Sequence, residues 1–378
     1  MQLNTHDYRR AAKRQLPRFV FEYIDGGAED EGCLRRNADD LAQVQLLPTV
    51  LRDTSAIDTS VQLFGQRWQA PFAVAPIGLC GLVRPGGDQM MAQAAAAAGV
   101  PHILSTASNT RLEDLHPGGA SALQWLQLYV MSERSIAEQI VRRARQAGFG
   151  ALVLTVDVPV SGTRERDARN HFKLPFKPTP AIAWDMLRHP AWLWRLAHGG
   201  APSFVNMSED NTPGSAQVQA ALLAREMDRR LDWDSLRWLR RLWDGPLLLK
   251  GLLHPADATR ALAHGVDAVI VSNHGGRQLD LAPSGIAALP RIVDAVGGRM
   301  PVLVDGGFRR GGDVAKALAL GAQAVLLGRP PVYGLACDGQ QGVAAVLALL
   351  RQELERTMVL LGAARVGDID RHHVMDPH

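Results

Sequence analysis

The chain has 378 residues, 47% of them hydrophobic, with a formal net charge of +3. That length and apolar content support one large core or two modest ones, and so slight a charge, with no long basic block, argues against a nucleic-acid partner. Cys33, Cys80 and Cys337 stand far apart without metal-ligand or CxxC spacing. They read as free thiols in a reducing compartment, and no metal is implied. No apolar run reaches the ~18–20 residues needed to span a bilayer, and the first residues carry no apolar signal core. The expectation is a protein of the cytoplasmic side, soluble or held at a surface.

In chain order, residues 1–70 read as a helical cap and lead-in. Short, near-continuously apolar runs then recur at 72–78 (FAVAPIG), 102–106 (HILST), 123–130 (LQWLQLYV), 151–157 (ALVLTVD), 246–251 (PLLLKG), 268–273 (AVIVSN), 301–307 (PVLVDGG) and 324–329 (AVLLGR). Runs of this kind suit parallel strands covered on both faces. Amphipathic segments such as 133–147, 255–264 and 310–320 suit the covering helices. Eight strand–helix units over roughly 260 residues predict an α/β fold, a (β/α)8 TIM barrel over 71–365 in a single domain of 1–378. A doubly wound sheet is less well served, because no G-x-G-x-x-G opens a helix after the first strand. An insertion, 176–216, follows strand four.

Active sites in this fold sit at the C-terminal ends of the strands. Polar residues gather at those ends: Gln127 and Tyr129, Thr155 and Asp157, Lys250, Ser272 and His274, Asp305, and Arg329. In Ser272–Asp280 (SNHGGRQLD) a histidine and an arginine stand three residues apart where a strand opens into a glycine-rich loop. Histidine is readily poised to take a proton near neutral pH, and an arginine fork matches a carboxylate. The pair describes a site that holds a carboxylic acid and removes a proton beside it; a capped turn with a satisfied histidine is the plain alternative. Asp157 could orient His274 and steady its protonated form, or simply cap a strand. Asp305-Gly306-Gly307-Phe308-Arg309-Arg310 and Gly328-Arg329 close strands seven and eight, where barrels commonly hold a phosphate. Lys250 could form a Schiff base, bind phosphate or stabilise an anionic cofactor ring, and spacing leaves these open.

Together the blocks YIDGGAEDE (Tyr23–Glu31), QLYV (Gln127–Val130), Thr155–Asp157, SNHGGRQLD, and Asp305–Arg310 with Gly328-Arg329 resemble the FMN-dependent L-2-hydroxy acid oxidase and dehydrogenase family, of the glycolate oxidase type. The resemblance runs from about residue 5 to 370. It implies FMN as cofactor and His274 as base, assisted by Asp157. It implies Arg277, with Arg164, on the substrate carboxylate, and Tyr23 and Tyr129 around the substrate. It also implies Pro76, Ile77, Gly78, Ser105, Gln127, Thr155, Lys250 and Ser272 around the flavin ring and ribityl chain, Lys250 at the edge where the reduced ring carries negative charge. Asp305, Gly306, Gly307, Arg309, Gly328 and Arg329 are implied at the ribityl–phosphate end, and a homotetramer as the assembly.

Two departures refine this. Ala107 stands where short-chain oxidases of the family carry a tryptophan, which leaves room for an aromatic substrate. Gly78 is shared with the dehydrogenase members, whereas oxidases carry alanine there. The blocks STASN, RERD and GFRRG lean toward mandelate-oxidising members, and GLCG (Gly78–Gly81) toward lactate-oxidising ones. The 176–216 segment mixes Trp184, Met186, Leu187, Trp192, Leu193, Trp194 and Leu196 with Arg188, His189, Arg195 and His198. That mixture suits a membrane surface over a lid or subunit contact, and Pro190 breaks it into two pieces. The expected activity is oxidation of an L-2-hydroxy acid, (S)-mandelate foremost and L-lactate next. The electrons are expected to pass to a membrane quinone, or to oxygen if the enzyme is a soluble oxidase.

Overall fold

The computed structural model describes residues 1–115, 121–172, 179–200, 204–207 and 227–375. A short antiparallel hairpin, β1 (Val61–Leu63) and β2 (Gln66–Trp68), precedes eight parallel strands. These are β3 (Phe72–Val74), β4 (His102–Leu104), β5 (Gln124–Leu128), β6 (Ala151–Thr155), β7 (Leu247–Leu252), β8 (Ala268–Val271), β9 (Val302–Asp305) and β10 (Ala324–Leu327). They pair in sequence order, and β10 returns to β3 to close the barrel. Every expected strand is present, in the expected order. Most end earlier than the apolar runs suggest, so Tyr129, Asp157 and His274 lie in loops at the barrel mouth rather than in the ladder.

Side chains alternate between two cores, as the strand period of two requires. Ala73, Ile103, Trp125, Val153, Leu248, Ile270, Leu303 and Leu326 fill the barrel interior. Their neighbours along each strand, such as Val74, Leu104, Leu154 and Val269, pack outward on the helices. The hairpin closes the lower end: Trp68 is fully buried and meets Trp125 edge-on, ring centroids 5.3 Å apart. The lead-in was expected to be helical, and two three-residue strands are too short to leave a periodic signature.

The helices Thr5–Gln15, Arg18–Asp25 and Gly32–Gln43 form the cap. Asp25 fastens it, accepting from Arg9 at 2.6 Å and from the Tyr333 hydroxyl at 2.7 Å on the helix Arg329–Leu361. Burial opposes its charge, but Arg9 and Tyr333 more than offset that and hold its carboxyl below the usual range. The Tyr23–Glu31 block is therefore half architecture: Tyr23 faces the cavity while Asp25 anchors the cap.

The insertion lies where expected, between β6 and the helix Trp233–Leu242. Its described part contains the helices Pro180–Leu187 and Pro190–Gly199. Pro190 opens the second one, a position where a missing N–H costs nothing. Trp192 pins the pair to the barrel, buried with its indole N–H donating to the Leu82 carbonyl at 2.9 Å. Trp184, Leu187 and Trp194 point outward, each more than 60% exposed. The rest of the 176–216 segment, 176–178, 201–203 and 208–216, lies outside the described residues. Among the described residues, no helix is long and apolar enough to cross a membrane.

Candidate active site

The barrel mouth opens into a cavity of about 380 Å³, within the size range of small-molecule sites. His274 enters it from the loop after β8 with a left-handed backbone, φ +59°, a conformation that costs a non-glycine residue about 1–3 kcal/mol. Two contacts hold it there. Its N–H donates to the Ser272 hydroxyl at 3.0 Å, and Asn273 exchanges amide hydrogen bonds with the buried Asn37 of the cap, at 2.8 and 3.0 Å. His274 Nδ1 lies 3.0 Å from Asp157 Oδ1, and Nε2 lies 3.4 Å from the Tyr129 hydroxyl. Asp157 thus accepts from Nδ1–H, which leaves Nε2 as the nitrogen able to take a proton. Burial works against the Asp157 charge, yet His274 and then Lys250 outweigh it and keep the carboxyl ionised below its ordinary range. Burial, reinforced by Asp157, raises the Tyr129 hydroxyl, so it stays neutral.

Two features the sequence reading left aside position Asp157. Gly251 sits at an irregularity in the β7–β8 register with φ +112°. A Cβ there would come 2.7 Å from the Asp157 Cβ, so only glycine lets the carboxylate sit where it does. Gln278 ties down the loop beyond: its amide donates to the carbonyls of Asp157 and Val160 at 2.8 and 2.9 Å and accepts from the Gly162 N–H at 3.0 Å.

Arg277 and Arg164 both line the cavity, and both guanidiniums lie over the Tyr23 ring, at 5.2 and 6.0 Å from its centroid. Arg277 spends Nη1 on the carbonyls of Tyr23 and Gly26. The buried Nε of Arg164 has no partner among the described residues. Burial and then the Arg164 charge push the Arg277 pKa down to about 9, so the site holds two cations that an incoming anion would stabilise.

Lys250 is buried, its ammonium donating to the Ser272 hydroxyl at 2.7 Å and pairing with Asp305 Oδ2 at 2.9 Å. Burial alone would lower its pKa, but Asp305 and Asp157 raise it above the ordinary value. A lysine held cationic is a poor nucleophile, which removes the Schiff-base option and leaves an electrostatic one.

Pro76, Ile77, Gly78, Ser105, Ala107, Thr155, Gly306, Gly307, Arg309 and Gly328 also line the cavity. Gln127 and Ser272 do not reach its wall. Gln127 stands behind Ser105, accepting from its hydroxyl at 3.2 Å, and Ser272 links Lys250 to the His274 backbone. Arg329 lines the wall and also braces the cap, donating to the carbonyls of Ile24, Gly275 and Gly26 through three of its five N–H groups. Gly307 is required by the cap as well as by any ligand, because a Cβ there would meet the Asn37 carbonyl oxygen at 2.2 Å. Asp167, Phe172 and Phe204 are among the further lining residues that the sequence reading did not name as site residues. Phe204 lies in the insertion, where no strand or helix period marks an inward-facing residue.

Several buried polar atoms lack any partner among the described residues: Thr155 Oγ1, Gln127 Nε2 and Asp305 Oδ1. Buried polar groups are normally satisfied, and these three cluster at or behind the cavity floor. With Lys250, the 306–307 glycines and Arg309 beside them, they fit a polar ring, a hydroxylated chain and a phosphate, the parts of FMN.

Barrel, base, paired arginines and cationic lysine define a flavin-type oxidoreductase acting on a carboxylic acid. The sequence profile of the FMN-dependent dehydrogenases matches residues 12–376. The chain is 44% identical to (S)-mandelate dehydrogenase of Pseudomonas putida over 99% of its length and 94% of the relative's. It is 43% identical to an L-lactate dehydrogenase of Ectopseudomonas mendocina, covering 96% of each. A crystal structure of (S)-mandelate dehydrogenase, described as a monotopic membrane protein, superposes over 100% of both chains with a TM-score of 0.96 at 43% identity. The chain belongs to the FMN-dependent dehydrogenase family.

Proposed function

We propose that this protein oxidises (S)-mandelate to benzoylformate, with FMN as cofactor, at the cytoplasmic face of a membrane. The observation that carries the reading is that His274 and Tyr129, with Asp157 on His274 Nδ1, line one cavity with Arg164 and Arg277. The arginines hold the substrate carboxylate and so fix the α-carbon near His274. His274 Nε2 takes the substrate's proton, and the ionised Asp157 steadies the resulting imidazolium. Tyr129 donates its neutral hydroxyl, and Lys250 supplies a fixed positive charge to the cavity floor. Bound FMN supplies the acceptor for the two electrons. Thr155, Gln127, Lys250 and Asp305 would hold its ring and chain, and Gly306, Gly307, Gly328 and Arg309 its phosphate.

Ala107 favours an aromatic substrate. It contributes one methyl group to the wall, and Phe172 packs on Tyr23 at 5.3 Å between centroids to offer a flat apolar surface. L-lactate is the second reading, favoured by the near-equal identity to L-lactate dehydrogenases. Anaerobic bleaching of the FMN-loaded protein decides between them. Fast reduction by (S)-mandelate and slow reduction by L-lactate is expected, and the reverse order moves the protein to lactate. Rapid reoxidation in air with hydrogen peroxide would make it an oxidase rather than a quinone-linked dehydrogenase.

The outward Trp184, Leu187 and Trp194, flanked by Arg188 and His198, suit a face lying in an anionic membrane surface. A membrane quinone is then the acceptor. Burying a large apolar side chain contributes ~1.5–3 kcal/mol, so replacing Trp184 and Trp194 with serine is expected to lower partitioning to anionic vesicles at least ~100-fold. Unchanged co-sedimentation would assign the two helices to another contact. The same reading carries a homotetramer, for which the exposed Val50, Leu51 and Leu360 offer an apolar contact face.

A further inference from the structure

Of the two carboxylates that line the cavity, Asp305 and Asp167, this chemistry does not use Asp167. Asp167 sits in the short helix Glu165–Arg169 of the β6–β7 loop and lines the wall with Arg164, Arg277, Tyr23 and Phe172. The neighbouring charges have partners. Arg166 pairs with Glu31 and Asp25, Arg169 with Glu165, and Glu22 with Arg18 and Asn170. Among the described residues Asp167 has no side-chain hydrogen bond or ion pair. The charges facing it are Arg277 and Arg164, which favour its ionised form, and Glu22 of the helix Arg18–Asp25, which opposes it. Burial is the largest influence and moves its pKa upward, so it ionises at a higher pH than an ordinary aspartate.

We propose that Asp167 is a resident counter-anion of the substrate pocket, competing with the substrate carboxylate for the Arg164–Arg277 pair and excluding hydroxy acids that carry a second carboxylate. The inference rests on the hydroxy acid reading above and deepens it. Two guanidiniums crowded in a buried pocket repel each other, and a nearby carboxylate relieves part of that repulsion before substrate arrives. With Asp167 ionised, one substrate carboxylate brings the two cations to zero net charge. A second carboxylate on the substrate would meet no further cation and would face Asp167, which disfavours it. When Asp167 takes up a proton the competition ends, so monocarboxylates bind more tightly on the acid side of its titration. They bind more weakly once it is ionised.

The test is steady-state kinetics of the FMN-loaded enzyme between pH 4 and 8, for wild type, Asp167→Asn and Asp167→Glu, with (S)-mandelate and with (S)-malate as the dicarboxylate probe. Removing a unit charge from the wall of the same cavity is expected to change binding roughly tenfold. In Asp167→Asn the KM for mandelate should fall by that factor at pH 7–8 while kcat stays within about twofold. Its KM should no longer rise with pH, and its discrimination against malate should shrink. Asp167→Glu should keep the wild-type trends. A KM that is unchanged or higher in Asp167→Asn, or undiminished discrimination against malate, overturns the proposal. Should that variant fail to hold flavin, the wild type decides through the Kd of a non-reacting monocarboxylate read from the flavin absorbance. A Kd rising as the pH is raised from 4, where an aspartate with an upward-shifted pKa is largely protonated, to 8 supports the competition, and a flat one overturns it. If no hydroxy acid reduces the wild-type flavin at any pH, the functional reading fails, while this binding measurement still reports on Asp167.

Discussion

His274→Ala should retain bound flavin and lose about 10²- to 10⁴-fold in the rate of anaerobic flavin reduction, the usual contribution of a positioned general base. The size follows from the lack of a substitute. The hydroxyl nearest Nε2 belongs to Tyr129, which burial and Asp157 keep protonated. Asp157 faces Nδ1, on the far side of the ring from the reacting position. Flavin should stay bound, because the Lys250–Asp305 pair and the 306–307 glycines do not depend on the imidazole. Absorbance of the purified variant reports flavin content, and stopped-flow bleaching reports the rate. A variant that bleaches at the parental rate would remove His274 from the role of base.

Lys250→Met should do more general damage. It leaves Asp305 buried without its cation, and breaking a buried pair on one side costs about 3–5 kcal/mol. Asp305 is open to that penalty because, among the described residues, its Oδ1 has no partner and Oδ2 relies on Lys250. Loss of flavin, a lower Tm and a collapsed reduction rate are expected together. The double variant Lys250→Met with Asp305→Leu separates structure from chemistry: removing both charges should recover much of the Tm without recovering flavin reduction. Full recovery of reduction in the double variant would make the lysine a packing residue.

Most of the barrel was legible because parallel strands covered on both faces must be apolar throughout, and eight such runs survive as unbroken words in the chain. That His274, Arg277 and Lys250 line one cavity was legible for a related reason: a polar residue at or just beyond the end of an apolar strand has few places to point except the barrel mouth. The RERD block was visible but unresolved. Arg166 of that block is a structural pair for Glu31, and Asp167 faces the cavity. Adjacent helical residues differ by about 100° in direction, and a five-residue helix is too short for its pattern to say which one turns inward.

What the chain determined alone was what is carried by local pattern: strand number, strand order, the histidine and arginine three residues apart, and the break at Pro190. What only the tertiary structure decided was set by contacts distant in sequence. Arg329, expected at the phosphate end, lines the cavity and also donates to the carbonyls of Ile24, Gly26 and Gly275, which stand 305, 303 and 54 residues before it. The glycines at 306 and 307 answer to Asn37 of the cap, and Gly251 answers to the carboxylate of a neighbouring strand's loop. A hydrogen-bond donor or a missing Cβ leaves no trace of its partner in the residues beside it. Such roles therefore emerge only when the barrel closes and brings the cap down upon its mouth.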